Sequence, residues 1–216
     1  MGDMEVFRRA VVEQVVAAGD GDGDGGIGHE GGGLREVALV AGVRTVVLVE
    51  GPSDVAALAA LAERRGRDLE AEGVCVLAMN GAMSVGRFAP PLGPSGAGLR
   101  LLGLCDEAEL GFYERAWERA GAPAGGIFVC AADLEDELIR ALGVPAAEEV
   151  VRSEGELRSL RIFVRQPAQQ DRDPARRLRR FLGTRKGRKI RYGRALVEAL
   201  APGRTPAPLE ALFTAL

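Results

Sequence analysis

Histidine, lysine and paired cysteine motifs are scarce in this sequence. The only histidine is His29, and the three cysteines are widely spaced without a CxxC pattern. These gaps argue against a zinc site and against a histidine-based catalytic triad. Each cysteine lies in an apolar run, which favours buried, reduced thiols and a cytoplasmic location.

Long apolar runs and targeting signals are also missing. No run approaches the roughly 20 apolar residues that span a bilayer, and the first residues do not resemble a signal peptide. The apolar fraction of 47% is nevertheless enough for a packed core. We therefore expect a cytoplasmic protein with no membrane partner.

Charge is distributed unevenly along the chain. The net charge is −3, yet residues 152–194 contain 15 basic and 4 acidic residues, whereas the remainder contains 13 basic and 27 acidic residues. Arginine outnumbers lysine by 26 to 2, and both lysines, Lys186 and Lys189, lie in the basic segment. An acidic body with a basic appendage indicates one surface that attracts polyanions.

The chain divides into three predicted regions. An N-terminal helix and a linker occupy residues 1–40, an α/β core occupies residues 41–143, and a basic helical extension occupies residues 144–216. Runs that are apolar on both faces predict four strands, at 45–49, 74–79, 99–104 and 127–130. Helical patterns fall at 53–65, 82–89, 107–120, 134–142, 146–153, 156–164, 174–182, 188–200 and 208–215. This alternation predicts a Rossmann-like, mainly parallel four-stranded sheet flanked by helices.

The N-terminal region combines an amphipathic pattern at 3–18 with a stretch rich in glycine and aspartate at 19–34. Asp20, Asp22 and Asp24 match the start of an EF-hand calcium loop, which needs a bidentate glutamate at its twelfth position. The sequence has Gly31 there, with Glu30 one position short, and no clear helical pattern follows. We therefore interpret the stretch as a flexible linker.

Acidic residues follow three of the four predicted strands. Glu50 ends the first strand, with Asp54 one helical turn later. Asp106 ends the third strand, and Asp133 and Glu135 follow the fourth. The carboxyl ends of parallel strands meet at one edge of a sheet, so these side chains are expected to lie together. Oxygen ligands without histidine or cysteine favour Mg²⁺ or Mn²⁺.

Each of these acids also has an ordinary structural alternative. Glu50 would gain from the dipole of the helix that follows it, and Asp106 and Asp133 are suitable helix N-caps. Acids at three strand ends of one sheet are harder to explain by capping alone. For the set as a whole, the pattern favours a divalent metal site.

The ordered motifs VEGPSD, LCD and DLEDEL resemble the Toprim domain of the OLD (overcoming lysogenisation defect) nucleases. The resemblance covers about residues 44–142 and implies a divalent-metal-dependent endonuclease that hydrolyses phosphodiester bonds. It implies that the bound metal activates water and stabilises the leaving 3′-oxygen. It also implies metal ligands at Glu50, Asp54, Asp106, Asp133 and Glu135, with Glu50 counted among the catalytic residues.

One position departs from the family pattern. The second acid of its Asp-x-Asp motif falls at Ala108. Glu107 or Glu109 would have to replace it, and Glu109, one turn further on, would face the same way. Without such a replacement, chemistry that uses two metal ions is in doubt.

The basic segment is the predicted nucleic-acid surface, with DNA favoured over RNA. Apolar residues give its helices a side that docks on the core, so the arginine face is expected to point outward. The candidate contacts are Arg176, Arg180, Arg185, Lys186, Arg188 and Arg191. The segment around Lys189 resembles the one in which OLD-type sites hold a lysine near the scissile phosphate, although an ordinary surface lysine is the alternative.

Three functional hypotheses remain at this stage. The first is a nuclease in which Glu50 and Lys189 are catalytic. The sequence has no GxxxxGK[ST] motif, the phosphate-binding loop of an ATPase. Full OLD nucleases carry an ATPase, so this chain is expected either to work with a separate ATPase protein or to act alone. The second is a non-catalytic or regulatory nucleic-acid-binding module that acts with such an ATPase. A receiver-like domain ranks last, because no lysine lies in the core.

Overall fold

Four parallel strands form the centre of the computed structural model, which describes residues 2–19, 30–185 and 187–216. The strands are β1 (Thr45–Val49), β2 (Val74–Ala78), β3 (Arg100–Asp106) and β4 (Ile127–Cys130). Their order across the sheet is β2-β1-β3-β4, and every neighbouring pair is parallel. The predicted α/β class and parallel sheet are confirmed.

Helices follow and flank the strands. They are α1 (Asp3–Gly19), α2 (Glu30–Val40), α3 (Pro52–Arg64), α4 (Val85–Leu92), α5 (Leu110–Ala120), α6 (Leu134–Leu142), α7 (Val144–Ser153), α8 (Leu157–Val164), α9 (Pro167–Gln170), α10 (Pro174–Leu182), α11 (Arg188–Ala199) and α12 (Ala207–Ala215). Short 3₁₀ turns lie at Ala82–Ser84, Glu107–Glu109 and Ala124–Gly126. Within the described ranges, no helix combines the length and the apolar content needed to cross a bilayer.

Both faces of the sheet are covered, and successive residues of β1 point to opposite faces. Val47 and Val49 belong to a core that also contains residues of α3, α6, α7, α10, α11 and α12. Val46 and Leu48 belong to a second core, built with α1, α2, α4 and α5. All five β1 residues are buried, which explains the uninterrupted apolar pattern of this strand.

Register brings the acid-bearing strand ends to one level. Leu48 of β1 is paired with Gly103 of β3, so Glu50, two residues on, is level with Cys105. Asp106 is paired with Cys130, the last residue of β4. The carboxyl ends of β1, β3 and β4 therefore meet at one edge, as the sequence predicted.

Close packing fixes the start of α5 relative to the end of β3. A Cβ atom at Gly103 would lie 2.9 Å from side-chain atoms of both Tyr113 and Trp117, so only glycine allows this approach. The Tyr113 hydroxyl donates a 3.1 Å hydrogen bond to the carbonyl oxygen of Leu104. The turn that carries Asp106 is thereby held between a buried strand and a buried helix face.

The basic C-terminal region packs on the same core as the sheet. At Gly193 in α11 a Cβ atom would lie 2.5 Å from the carbonyl oxygen of Ser53, so α11 contacts the start of α3 through its backbone. This contact brings the first turn of α11 to the acidic edge. The domain limits at residues 40 and 143 remain predictions.

The N-terminal region differs from the predicted linker. Residues 30–40 form α2, although three glycines lower its intrinsic helix propensity. Leu34 and Ala38 are each only 2% exposed because they pack in the core that contains α1, and this packing outweighs propensity. A helix therefore does follow the calcium-loop match. The match itself, with Asp20, Asp22 and Asp24, lies outside the described residues.

The remaining predicted helices agree with the structure to within about three residues at each end, and α9 was not predicted. All three cysteines are buried and unpaired, in agreement with the expected reduced thiols.

Candidate metal centre

Three carboxylates from two strand ends lie together at the carboxyl edge of the sheet. Glu50 follows β1, Asp106 ends β3, and Glu109 closes the 3₁₀ turn after β3. One oxygen of each lies within 4.8 Å of the other two. Ligands on opposite sides of one cation, at bonds of about 2.1 to 2.4 Å, are roughly 4.2 to 4.8 Å apart. We call this group the acid triad, and its spacing fits a single divalent ion.

Local geometry explains why Glu109, rather than Glu107, joins the triad. Asp106 is the N-cap of the turn Glu107–Glu109. A 3₁₀ helix has three residues per turn, so side chains at i and i+3 lie one above the other. Asp106 and Glu109 therefore share a side, while Glu107 and Ala108 are exposed. An acid one residue after Ala108 therefore lies close to Asp106.

The Oε2 atom of Glu109 is buried without a hydrogen-bond partner. A buried carboxylate oxygen in this state is costly, and native structures contain few of them. A cation at the triad would satisfy this atom and would balance three like charges. The residues present therefore fit a hard divalent metal ion.

Burial and like charge perturb Asp106 and Glu109 of the triad in the metal-free chain. Burial raises the pKa of Asp106 to about 8, and the negative charges of Glu109 and Asp133 add to the rise. Burial and the charge of Glu50 raise the pKa of Glu109 as well. The raised pKa values of Asp106 and Glu109 show that neighbouring negative charge and burial oppose their ionisation, so a cation at the triad would be favoured.

Asp54 lies beside the triad and holds the start of α3. Its Oδ2 accepts a 2.8 Å hydrogen bond from the Gly51 backbone N–H, in a capping arrangement. Burial raises the pKa of Asp54 to about 7 despite the opposing effect of that hydrogen bond. The negative charges of Glu135 and Glu50 also raise this pKa, and Lys189 lowers it. Its predicted role as a metal ligand stays a prediction.

The two acids after β4 already have cationic partners. Asp133 caps α6 by accepting the Asp136 N–H at 2.8 Å, and its other oxygen accepts from Arg179 Nε at 2.6 Å. Glu135 is 4% exposed, and its Oε2 lies 3.3 Å from Lys189 Nζ. Both acids are therefore paired with cations, and neither belongs to the acid triad.

Lys189 stands at the acidic edge, where its Nζ lies 3.3 Å from Glu135, and its catalytic role stays a prediction. Burial alone would lower its pKa, but Glu135 and Asp133 outweigh burial and leave the pKa raised. The ammonium is therefore charged at neutral pH. Lys186, the other lysine, lies outside the described residues.

The predicted outward face of the basic segment needs one correction. Arg188 is only 5% exposed, because its guanidinium lies 4.1 Å from the centre of the Phe181 ring and donates to Glu156. Arg188 therefore cannot present its charge to a phosphate backbone. Arg191 is exposed but pairs with Glu154 and Glu156.

Three other predicted contacts are open to solvent. Arg176 and Arg180 of α10 and Arg185 in the following turn are exposed, and none forms an ion pair with another described residue. Arg179, between the first two, was not singled out by sequence reasoning, because its pairing with Asp133 joins residues 46 positions apart. The contact forms because α10 packs against α6, and the sequence alone does not reveal this packing.

Comparisons with known proteins found one matching protein family and several similar solved structures. Residues 43–106 match the family described as "Overcoming lysogenization defect protein-like, TOPRIM domain". The C-terminal region of the Burkholderia pseudomallei OLD protein is 21% identical with a TM-score of 0.58, covering 80% of this chain and 96% of that one.

The C-terminal region of the Xanthomonas campestris pv. campestris OLD protein is 26% identical with a TM-score of 0.55, covering 80% of this chain and 91% of that one. No curated protein matches the chain.

Proposed function

Because the chain contains an OLD-type Toprim domain, we propose that it is a divalent-metal-dependent nuclease that hydrolyses phosphodiester bonds, with DNA as the expected substrate. Toprim domains bind divalent metals through acidic residues. The observation that carries the proposal is the acid triad, in which Glu109 has a buried oxygen without a partner.

Glu50, Asp106 and Glu109 would hold Mg²⁺ or Mn²⁺. When bound, such an ion supplies a Lewis acid that lowers the pKa of a water molecule and offsets charge on a phosphate. Asp54 would keep Glu50 at the edge of the sheet, because it holds the first turn of α3 directly after that residue. Asp133 and Glu135 would be the candidates for further ligands, if a substrate draws their cations away.

Lys189 would act on the substrate from the other side of the edge. The neighbouring carboxylates keep its ammonium protonated, so a scissile phosphate that reaches Lys189 would meet a positive charge. Such a charge stabilises negative charge that develops on the phosphate in the transition state. Arg176, Arg180 and Arg185 would hold the backbone of the nucleic acid through contacts that do not read sequence.

A second candidate is a regulatory module that binds metal and nucleic acid without cleaving, together with a separate ATPase protein. One observation favours it. Asp133 and Glu135 are occupied by Arg179 and Lys189, so the acid triad is the only set of three or more acids close enough to share an ion in the described chain. A single site of this kind supports binding but not chemistry that needs two ions.

The experiment that tests the proposal is cleavage of supercoiled plasmid and of single-stranded DNA in Mn²⁺ or Mg²⁺. We expect cleavage by the unaltered chain, abolition by a chelator, and a loss of at least about 100-fold in Glu50→Ala. Glu107→Ala is the matched control, because this neighbouring acid is exposed and lies outside the triad. RNA of the same sequence tests the nature of the substrate.

Two results would reject the nuclease. Equal cleavage by the unaltered chain and Glu50→Ala would assign the activity to a contaminant. Binding of Mn²⁺ and DNA without any cleavage would instead favour the regulatory module.

A further inference from the structure

A second surface borders the acid triad on the side of α4 and α5. Phe112, Arg115 and Arg119 are spaced i, i+3 and i+7 along α5 and therefore share one side of this helix. We call these three residues the α5 flank. Phe112 stands only three residues after Glu109, in the first turn of the helix that follows the triad. The flank therefore begins next to the proposed metal site.

Phe112 is the one aromatic side chain in the described residues that is classed as exposed, at 38%. Its neighbour Tyr113 is fully buried, so the helix turns one ring inward and leaves the other at the surface. The guanidinium of Arg115 lies 5.1 Å from the centre of the Phe112 ring. The guanidinium lies over the ring, so the two side chains together present a flat, positively charged surface that suits the base and the phosphates of a nucleotide.

Arg119 reaches toward the same edge. Side chains on a helix lean toward its N-terminus, and a Cβ atom at Gly86 would lie 2.6 Å from Arg119 Nη2. Gly86 is in the first turn of α4, so the absence of a side chain there gives the guanidinium its place. The next residue, Arg87, is exposed.

These cations differ from many of those in the C-terminal region. Arg87, Arg115 and Arg119 form no ion pair with any described residue, whereas Arg179 and Arg188 are paired with acids. The unpaired charges of the α5 flank therefore remain available to a phosphate group, which interacts favourably with arginine.

We propose that the α5 flank binds an unpaired nucleotide of the substrate, with its base stacked on Phe112 and its phosphates held by Arg115 and Arg119. This inference rests on the proposed function and deepens it. Bases of a duplex are stacked on one another and offer no free face to a side chain, whereas single strands do. The site would therefore prefer a single strand, or an unwound segment, next to the bond that is cleaved.

Fluorescence anisotropy with short labelled oligonucleotides tests this inference. The labelled oligonucleotides are single-stranded DNA, RNA of the same sequence and a blunt DNA duplex. Each is titrated in Ca²⁺ with the unaltered chain and with the variants Phe112→Ala, Phe112→Leu and Phe112→Trp. Ile162→Ala is the matched control, because this residue is apolar, 58% exposed and placed on α8. The DNA and RNA strands distinguish the two sugars.

We expect Phe112→Ala and Phe112→Leu to weaken single-strand binding by about 5- to 100-fold, the range for losing one base–aromatic stack. Phe112→Trp should retain single-strand affinity, because it keeps an aromatic face. Duplex affinity should change by less than about twofold in every variant, as should all affinities of Ile162→Ala. An apolar contact without stacking would instead be preserved in Phe112→Leu, which would overturn the inference.

The experiments distinguish failure of the nucleotide site from failure of the proposed nuclease function. Suppose that the unaltered chain cleaves DNA and that Phe112→Ala binds single strands as tightly as the unaltered chain. Then only the nucleotide site at the α5 flank is rejected. If Phe112→Ala lowers the affinity for single strands and for the duplex equally, the preference for an unpaired nucleotide is rejected. If the unaltered chain neither binds nor cleaves nucleic acid, both proposals fall together.

Discussion

Asp106 and Glu109 point to the same place because a single 3₁₀ turn separates them. This relationship brings an acid close to Asp106, although the acid that the family pattern expects is absent at Ala108. It also makes Glu109 the residue that distinguishes a metal site from a chance group of acids, because its buried oxygen has no other partner.

The first prediction concerns metal affinity at the acid triad. Glu109→Gln should weaken Mn²⁺ binding by at least about tenfold, because one anionic ligand of a hard cation is lost. Glu107→Gln should leave the affinity unchanged, since Glu107 lies outside the triad. Isothermal titration calorimetry measures both. Equal affinities for the two variants would remove Glu109 from the site.

The second prediction concerns pH in the absence of metal. Asp106 has a pKa of about 8 in the folded chain, against an ordinary value of 3.8. Through Asp106, the folded chain therefore binds more protons than the unfolded chain between about pH 4 and pH 8. Its free energy of unfolding should fall as pH rises through this range. Asp54, with a pKa of about 7, contributes in the same direction.

Urea unfolding in a chelator at several pH values checks this dependence. Asp106→Asn should reduce the decline in stability between about pH 5 and pH 8, and Glu107→Gln should not. Saturating Mn²⁺ should reverse the trend for the unaltered chain, because metal binding displaces protons and strengthens as they leave. Metal-free stability that rises across this range would contradict the raised pKa.

The third prediction concerns the Lys189–Glu135 pair. Lys189→Met leaves Glu135, which is 4% exposed, without its cation and should reduce stability by about 1 to 3 kcal/mol. The double variant with Glu135→Gln should recover most of that loss, because the uncompensated charge is gone. Urea unfolding measures both variants.

Cleavage by the same double variant separates two roles of Lys189. If Lys189 acts on the phosphate, activity stays lost although stability returns, and it falls below the activity of Glu135→Gln alone, which reports any contribution of Glu135 as a metal ligand. Recovery of cleavage together with stability would instead make Lys189 a structural partner of Glu135.

The fourth prediction concerns Glu156, which anchors the buried Arg188. Glu156 accepts from Nε and Nη2 of Arg188 at 2.9 and 2.8 Å, and from the Tyr192 hydroxyl at 3.1 Å. Glu156→Ala should destabilise the chain by about 3 to 5 kcal/mol, because a buried guanidinium loses its counter-ion. Glu154→Ala, which removes a partly exposed partner of Arg191, should cost about 1 kcal/mol or less.

The sheet and the position of its acidic edge could be predicted from the sequence. Strands buried on both faces have uninterrupted apolar runs, and parallel strands end at a common edge, so Glu50 and Asp106 were expected to meet there. The sequence also restricted the replacement for Ala108 to Glu107 or Glu109. Glu109 was the better candidate because it lies one turn further on, and the 3₁₀ turn that brings it close to Asp106 is seen only in the structure.

Other features depend on packing that a local pattern does not contain. The glycines of residues 31–33 indicate a linker, yet burial of Leu34 and Ala38 stabilises α2. A run of arginines is typical of a solvated face, yet Arg188 lies inside because Glu156, 32 positions away, is its partner. Contacts between residues this far apart form only when the whole chain is folded.

The most direct test of the central claim is anomalous diffraction from crystals soaked in Mn²⁺. The acid triad predicts a manganese peak in contact with carboxylate oxygens of Glu50, Asp106 and Glu109. A peak that contacts only Asp133 and Glu135, or no peak at this edge at millimolar Mn²⁺, would contradict the proposed metal site.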